Sequence, residues 1–249
     1  MPPLPFYMES HQEMTDDQYF RHDDRSVDEI VDVNGDPLPR IFDAALMPSY
    51  RLVPRERLIV YNSEKQVFQL QKMTTTPGYP PNTIEVEEDT VVVYGSWGHE
   101  LCSPAAWAVY LGPGSRYNAT GLIDLDPDDE VISRGEIEGL SRAVDVAAEI
   151  CAAEPSLCKI RITCLTEFDV KGLGLLMKYW IKGEKLEWKP DGNYFDLLKR
   201  LSEKVDRILS AGRDDLDIKF WWILADDHYR EATTMAREAS RGYYSEYPD

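Results

Sequence analysis

Few side chains in this sequence stand in arrangements that do chemistry, so those that do narrow the field. His99 lies beside Glu100, and a histidine next to a carboxylate is a pairing used by general bases; at a strand end the two read as surface groups. Asp226-Asp227-His228 reads in the same way, as an exposed loop. Gly112-Pro113-Gly114-Ser115 has the glycine content of a phosphate cradle, but no Lys-Ser/Thr follows it, so it reads as a turn. Cys102, Cys151, Cys158 and Cys164 form neither a C-x-x-C pair nor a Cys/His zinc spacing. They read as buried, reduced thiols of an intracellular protein, nuclear or cytoplasmic. Between Tyr179 and Tyr194, the cations Lys182, Lys185 and Lys189 interleave with Trp180 and Trp188. Cations among stacking rings suit a nucleic-acid backbone and its bases. Glu184, Glu187 and Asp191 cancel that charge locally.

The wider charge balance also weighs against nucleic acid. The chain holds 27 Lys and Arg against 45 Asp and Glu, a net charge of −18. Residues 91–249 alone hold 28 acids and 19 bases, or −9. Affinity for a polyanion grows with the number of phosphates a protein neutralises, and modules that bind one are usually basic. Nucleic acid is therefore a disfavoured partner, and a protein of unknown identity the favoured one. No apolar run approaches the roughly 20 residues of a membrane span, and residues 1–10 lack the features of a secretory signal.

The elements that must position these residues follow from composition. Residues 1–40 are acidic and Pro-punctuated and read as a flexible tail. Residues 41–87 form an extension, with a hairpin predicted from Arg57–Tyr61 and Gln66–Leu70 and a Pro-rich linker over Thr74–Thr83, the best boundary in the chain. Thr90–Tyr94 is a continuous β-branched run, the signature of a buried strand. Ala106–Leu111, Asn118–Leu125, Lys159–Leu165 and Asp217–Leu224 read as further strands. Ser133 with Glu136 is a capping box for a helix carrying Ile137, Leu140 and Val144 at helical spacing. Val170–Ile181, Tyr194–Leu209 and Tyr229–Ser240 are predicted helices. This order predicts an α/β fold with a mixed sheet, its first strands antiparallel and its later ones joined by helical crossovers.

The same order resembles the ribonuclease H family over residues 88–242, leaving 243–249 as a short tail. Four local stretches carry the resemblance: Trp107–Gly114 with Tyr117-Asn118, Ser133-Arg134-Gly135-Glu136, Glu167–Leu173, and Phe220-Trp221 followed by Glu231-Ala232 and Ala236–Ala239. They are similar to eukaryotic and fungal members in particular. The resemblance implies a five-stranded mixed sheet flanked by helices, with Thr90–Tyr94 central and Ala106–Leu111 antiparallel to it. It also implies an active site of four carboxylates that hold two Mg²⁺ or Mn²⁺ ions for hydrolysis of RNA in RNA–DNA hybrids. Here the four positions are Ser96, Glu136, Leu165 and Thr233, and only Glu136 keeps its acid. By the same resemblance His228 falls where some members carry a histidine that aids product release. Trp180, Lys182, Lys185, Trp188 and Lys189 fall in the basic segment that grips hybrid backbone.

A lone glutamate does not hold two divalent cations close together. The sequence therefore predicts a catalytically inactive, hydrolase-like pseudoenzyme that acts as a binding module, with no metal and no other cofactor. The alternative is an active nuclease whose Mg²⁺ or Mn²⁺ site is rebuilt from other acids, such as Glu167, Asp169, Asp226 and Asp227.

Overall fold

The computed structural model describes residues 21–22, 30–31, 38, 40–74, 83–99, 104–124, 131–165, 173, 192–211, 213–224 and 226–246. Its strands are β1 (Arg21–His22), β2 (Ile30–Val31), β3 (Ile41–Phe42), β4 (Ile59–Asn62), β5 (Val67–Thr74), β6 (Thr83–Val86), β7 (Thr90–Gly98), β8 (Ala106–Tyr110), β9 (Ala119–Leu122), β10 (Lys159–Cys164) and β11 (Asp217–Trp222). Its helices are α1 (Arg55–Leu58), α2 (Val131–Ala153), α3 (Gly192–Ala211) and α4 (Asp227–Glu246). β1 and β2 pair only with each other, and β3 to β11 make one nine-stranded mixed sheet. The fold is mixed α/β.

The β-branched run at Thr90 becomes β7, buried along almost its whole length. β8 lies antiparallel to β7 and β9 antiparallel to β8, while β10 runs parallel to β7 and β11 parallel to β10. The five strands predicted after residue 88 thus lie in the order β9-β8-β7-β10-β11. The sheet has nine strands rather than five because the extension adds β3, β4, β5 and β6 to it.

Alternation along the strands gives the sheet two faces. Val91, Val93 and Gly95 share one face with Ile160, Ile162, Ile218 and Phe220. That face meets α2, which in turn carries α3 through Lys204 to Asp145 at 2.7 Å. The opposite face carries Val92, Tyr94, Ser96, Arg161, Thr163 and Trp221. There α4 packs on β7, β8 and β9, and residues 38–58 cover β10 and β11. Phe42 meets Tyr50 and Trp221 edge-on at 5.3 and 5.1 Å, with the Arg161 guanidinium 4.9 Å from its ring. The extension therefore completes a face that α4 covers only in part.

Its hairpin also continues an edge. β8 leaves β7 after the Tyr94–Tyr110 pair, and β5 takes up the same edge at Phe68–Val92. The turn after β8 makes room through Gly112, whose φ of +133° and close Tyr61 ring admit no side chain. Ser115 Oγ then donates to Gln66 O at 2.7 Å, joining the turn to the hairpin.

A buried charge network fastens the extension at the amino end of β7. Glu87 is 5% exposed and accepts from Tyr50 Oη, from Lys72 Nζ at 3.1 Å and from Lys159 Nζ at 2.7 Å. Lys159 also meets Asp89 at 3.2 Å. Burial alone would raise the Glu87 pKa, but the bonds from Lys159, Tyr50 and Lys72 outweigh it and hold the carboxyl below its ordinary value.

Several expectations need correction. α2 begins at Val131, so Ser133 lies inside its first turn and does not cap it. Arg57 and Leu58 are helical, and the predicted first strand of the hairpin begins at Ile59. The breaker-rich stretch at 74–83 joins β5 to β6, which pair antiparallel, so it links two strands of one sheet. Leu38, assigned to the tail, is buried in the core, and α4 runs to Glu246. The helix predicted over Val170–Ile181 lies outside the described residues except for Leu173, which is helical and buried. The turn at Gly112–Ser115 is present, with Gly114 also at positive φ.

Candidate functional site

Two glycines decide where α2 sits. A Cβ on Gly95 would fall 2.7 Å from the Gly139 carbonyl oxygen, and a Cβ on Gly139 would fall 2.7 Å from that of Ser96. Strand and helix backbones therefore touch directly, which only glycine allows on both sides. Glu136 is one helical turn before Gly139, so this contact brings it to the place where β10 stops and β7 runs on. Glu136, Gly95, Ser96, Leu140, Cys164, Leu165 and Tyr229 line a cavity of about 10 Å³ there, room for about one water molecule.

The opposite helix closes the cavity. Ser96 Oγ lies 2.9 Å from Thr233 Oγ1, and Thr233 Oγ1 donates to Tyr229 O at 3.0 Å. With the Thr233 proton on that carbonyl, Ser96 is the donor of the pair. Ser96 thus donates to Thr233, and Thr233 to the Tyr229 carbonyl. All four positions, Ser96, Glu136, Leu165 and Thr233, meet at this end of the sheet: three line the cavity and the fourth bonds to Ser96.

The surroundings are fixed rather than open. Asp226 caps α4, accepting from Tyr229 N at 2.8 Å and from Tyr94 Oη at 3.0 Å. Burial, with Asp226 beside it, pushes the Tyr94 phenol far above its ordinary pKa, so it stays a hydrogen-bond donor. His228 is not an exposed loop residue. It lies in the first turn of α4, half-buried, with its ring 4.4 Å from Phe68 and 5.6 Å from Tyr94. Trp222, half-buried and the less buried ring of its pair, donates from Nε1 to Leu165 O at 2.9 Å and ties the end of β10 to β11. His99 is exposed, with its ring 5.6 Å from that of Trp97.

A pair of divalent cations does not fit these donors. Mg²⁺ takes hard oxygen ligands, chiefly carboxylates. Among the described residues the cavity offers one carboxylate, Glu136, beside a serine already bonded to a threonine, with Leu140, Leu165, Cys164 and Tyr229 making up the side-chain wall. Among the described residues no three His, Cys, Asp or Glu side chains form a metal-holding group. Nor are Cys151 and Cys158 poised as ligands or nucleophiles: burial pushes Cys151 up to about 11 and also raises Cys158.

The segment with Trp180, Lys182, Lys185, Trp188 and Lys189 lies outside the described residues. Sequence reasoning did not single out Tyr229, Leu140 or Cys164 as cavity residues. For Asp226 a signal was present, since an aspartate just before an amphipathic run is an N-cap pattern. Among the described residues no helix is long and apolar enough to cross a membrane. No family model matches the chain, and no curated protein matches it.

Proposed function

We propose that residues 88–242 form a ribonuclease H-like domain that has lost two-metal hydrolysis and serves as a binding module, with a protein as its partner. One observation carries the reading. The four positions at which the resemblance implies carboxylates meet at one end of the sheet, and only Glu136 is an acid. The order β9-β8-β7-β10-β11, antiparallel first and parallel later, fits the mixed sheet that the resemblance implies. One carboxylate does not offset the mutual repulsion of two divalent cations, and the bonded hydroxyls of Ser96 and Thr233 are neutral. The net charge of −18 favours protein over nucleic acid as the partner.

Incubation with an RNA–DNA hybrid and Mg²⁺ or Mn²⁺ should leave the RNA intact. Cleavage abolished by Glu136→Gln would overturn the reading and establish a metal-dependent nuclease with acids recruited from elsewhere. The correspondence of positions has its own test in the combined variant Ser96→Asp, Leu165→Asp and Thr233→Asp. Four carboxylates would then face one another, so its melting temperature should fall at low ionic strength and recover with Mg²⁺ or Mn²⁺. A folded triple variant indifferent to metal would remove the support for the four positions.

A further inference from the structure

Among the described residues β3, β4, β6 and β9 each pair on one side only. Such an edge offers unpaired N–H and C=O groups to another strand, and charged side chains or proline are the usual guard against that. β3 is two residues long. β6 carries Glu85 and runs into the acids Glu87, Glu88 and Asp89. β4 is flanked by Arg55-Glu56-Arg57 and by Glu64-Lys65. β9 has no guard of this kind, since residues 118–123 hold neither a charged residue nor a proline.

The pairing of β9 with β8 fixes which of its groups face outward. Ile123 N donates to Ala105 O at 2.8 Å, one step beyond the Ala106–Leu122 pair. Bonded and non-bonded pairs alternate along an antiparallel ladder. Ala119, Gly121 and Ile123 therefore bond to β8, while Thr120 and Leu122 turn their N–H and C=O groups away from it. Both are exposed, Leu122 at 41%. Exposed Arg116 precedes the strand and exposed Asp124 follows it. Among the described residues neither has an ion pair; the Arg116 guanidinium donates to Tyr117 Oη at 2.7 Å.

We infer that β9 pairs antiparallel with β9 of a second copy, about a two-fold axis at Thr120, and so joins two nine-stranded sheets edge to edge. In a self-pair outward residues face outward residues, so only registers of like parity are allowed. Pairing about Thr120 obeys this rule and brings Arg116 of each copy toward Asp124 of the other. The same construction fails at β4. About Val60 it brings Glu56 toward Glu64, and about Tyr61 it brings Arg57 toward Lys65. Opposite charges favour a strand pair and like charges oppose it. Each copy carries −18, but charges further apart than about 8 Å are screened at physiological salt, and the paired edges are themselves uncharged. The inference names a partner for the binding-module reading and rests on it only in taking that partner to be a protein.

Sedimentation equilibrium of the full-length protein at physiological salt should show a concentration-dependent dimer. Thr120→Pro should leave a monomer, because proline removes an outward N–H that the single chain does not use. Its melting temperature checks that it folds. Asp124→Arg should weaken the dimer about tenfold or more, since the two-fold axis repeats the lost pair and sets cations together. Adding Arg116→Asp should restore it. A monomer at every concentration overturns the inference, as does a dimer that either Thr120→Pro or Asp124→Arg leaves intact. A monomer that selects extended peptides from a displayed library, and loses them in Thr120→Pro, puts a strand of another protein there and overturns the second copy. Cleavage of an RNA–DNA hybrid bears on the pseudoenzyme reading alone, so the two failures are distinguishable.

Discussion

The two ends of β7 and β10 treat charge in opposite ways. At the amino end Glu87 is buried but meets Tyr50, Lys72 and Lys159, and Asp89 stands beside Lys159. At the carboxyl end the gap between the same two strands is lined, among the described residues, by the Glu136 carboxylate, the Ser96 and Tyr229 hydroxyls and the Cys164 thiol. A buried acid is tolerated where cations and hydrogen-bond donors surround it, and costs stability where they do not. The amino end therefore holds the fold together through charge. At the carboxyl end the backbones of β7 and α2 touch directly at Gly95 and Gly139, and Ser96 and Thr233 meet as neutral hydroxyls.

The comparison breaks most visibly at Glu87. Glu87→Leu should cost about 3 kcal/mol in denaturant unfolding, because it leaves Lys159 and Lys72 without their shared partner. Adding Lys159→Met should recover part of that loss. The pH dependence has a definite sign. Glu87 has a lower pKa folded than unfolded, so its contribution is complete above the unfolded carboxylate value and is lost as pH falls through the folded one. Lys159 is the converse: burial lowers its pKa, but Glu87 and Asp89 raise it further, so its contribution is lost only as pH rises through the raised value. Wild-type stability should thus have an acid limb that Glu87→Leu flattens. An acid limb unchanged in that variant would show that Glu87 is not its source.

The carboxyl end should break through volume instead. Gly95→Ala places a methyl group 2.7 Å from the Gly139 carbonyl oxygen, and β7 and α2 must part to admit it. The expected cost is about 2 kcal/mol, in the range for overpacking. Gly139→Ala should also destabilise, although alanine in a helix interior is worth about 1 kcal/mol over glycine. Gly242→Ala, with nothing within 4 Å of its added Cβ, should show that gain alone. If Gly139→Ala behaved like Gly242→Ala, α2 would not be held by backbone contact.

Much of the sheet was legible because its inner strands announce themselves. Thr90–Tyr94 is a β-branched run that suits burial on both faces, and Lys159–Leu165 is rich in β-formers despite Lys159 and Arg161. The extension was less so. β3 is only two residues, Ile41–Phe42, and Tyr50 and Leu38 have no periodicity, since they pack from a turn and irregular backbone. Glu87 sits in the run Glu85-Val86-Glu87-Glu88-Asp89, which reads as a solvated acidic loop. Its cations come from positions 72 and 159, a long-range pairing that local sequence does not encode. The meeting of positions 96, 136, 165 and 233 was legible as motif positions on strand ends and helix starts. The hydroxyl bond was not, because its geometry depends on how α4 crosses β7 and on Thr233 bonding back to Tyr229 within its own helix.

That hydroxyl pair gives the smallest and most local test of the contrast. If Ser96 donates to Thr233 while Thr233 donates to Tyr229 O, Thr233→Val takes the acceptor from Ser96, and Ser96→Ala removes the same bond from the other side. Ser96→Ala and Thr233→Val should each cost about 1 kcal/mol, the usual net worth of one hydrogen bond. Their double variant should cost about the same as either alone, because both substitutions delete one shared interaction, and coupling is expected between residues in contact. A double-mutant cycle read by urea unfolding measures this directly. Additive costs would mean that Ser96 is served by Trp97 O, at 3.5 Å, rather than by Thr233, which keeps its own bond to Tyr229 O. The carboxyl end would then be two independent polar sites rather than one neutral junction, and its contrast with the shared network at Glu87 would weaken.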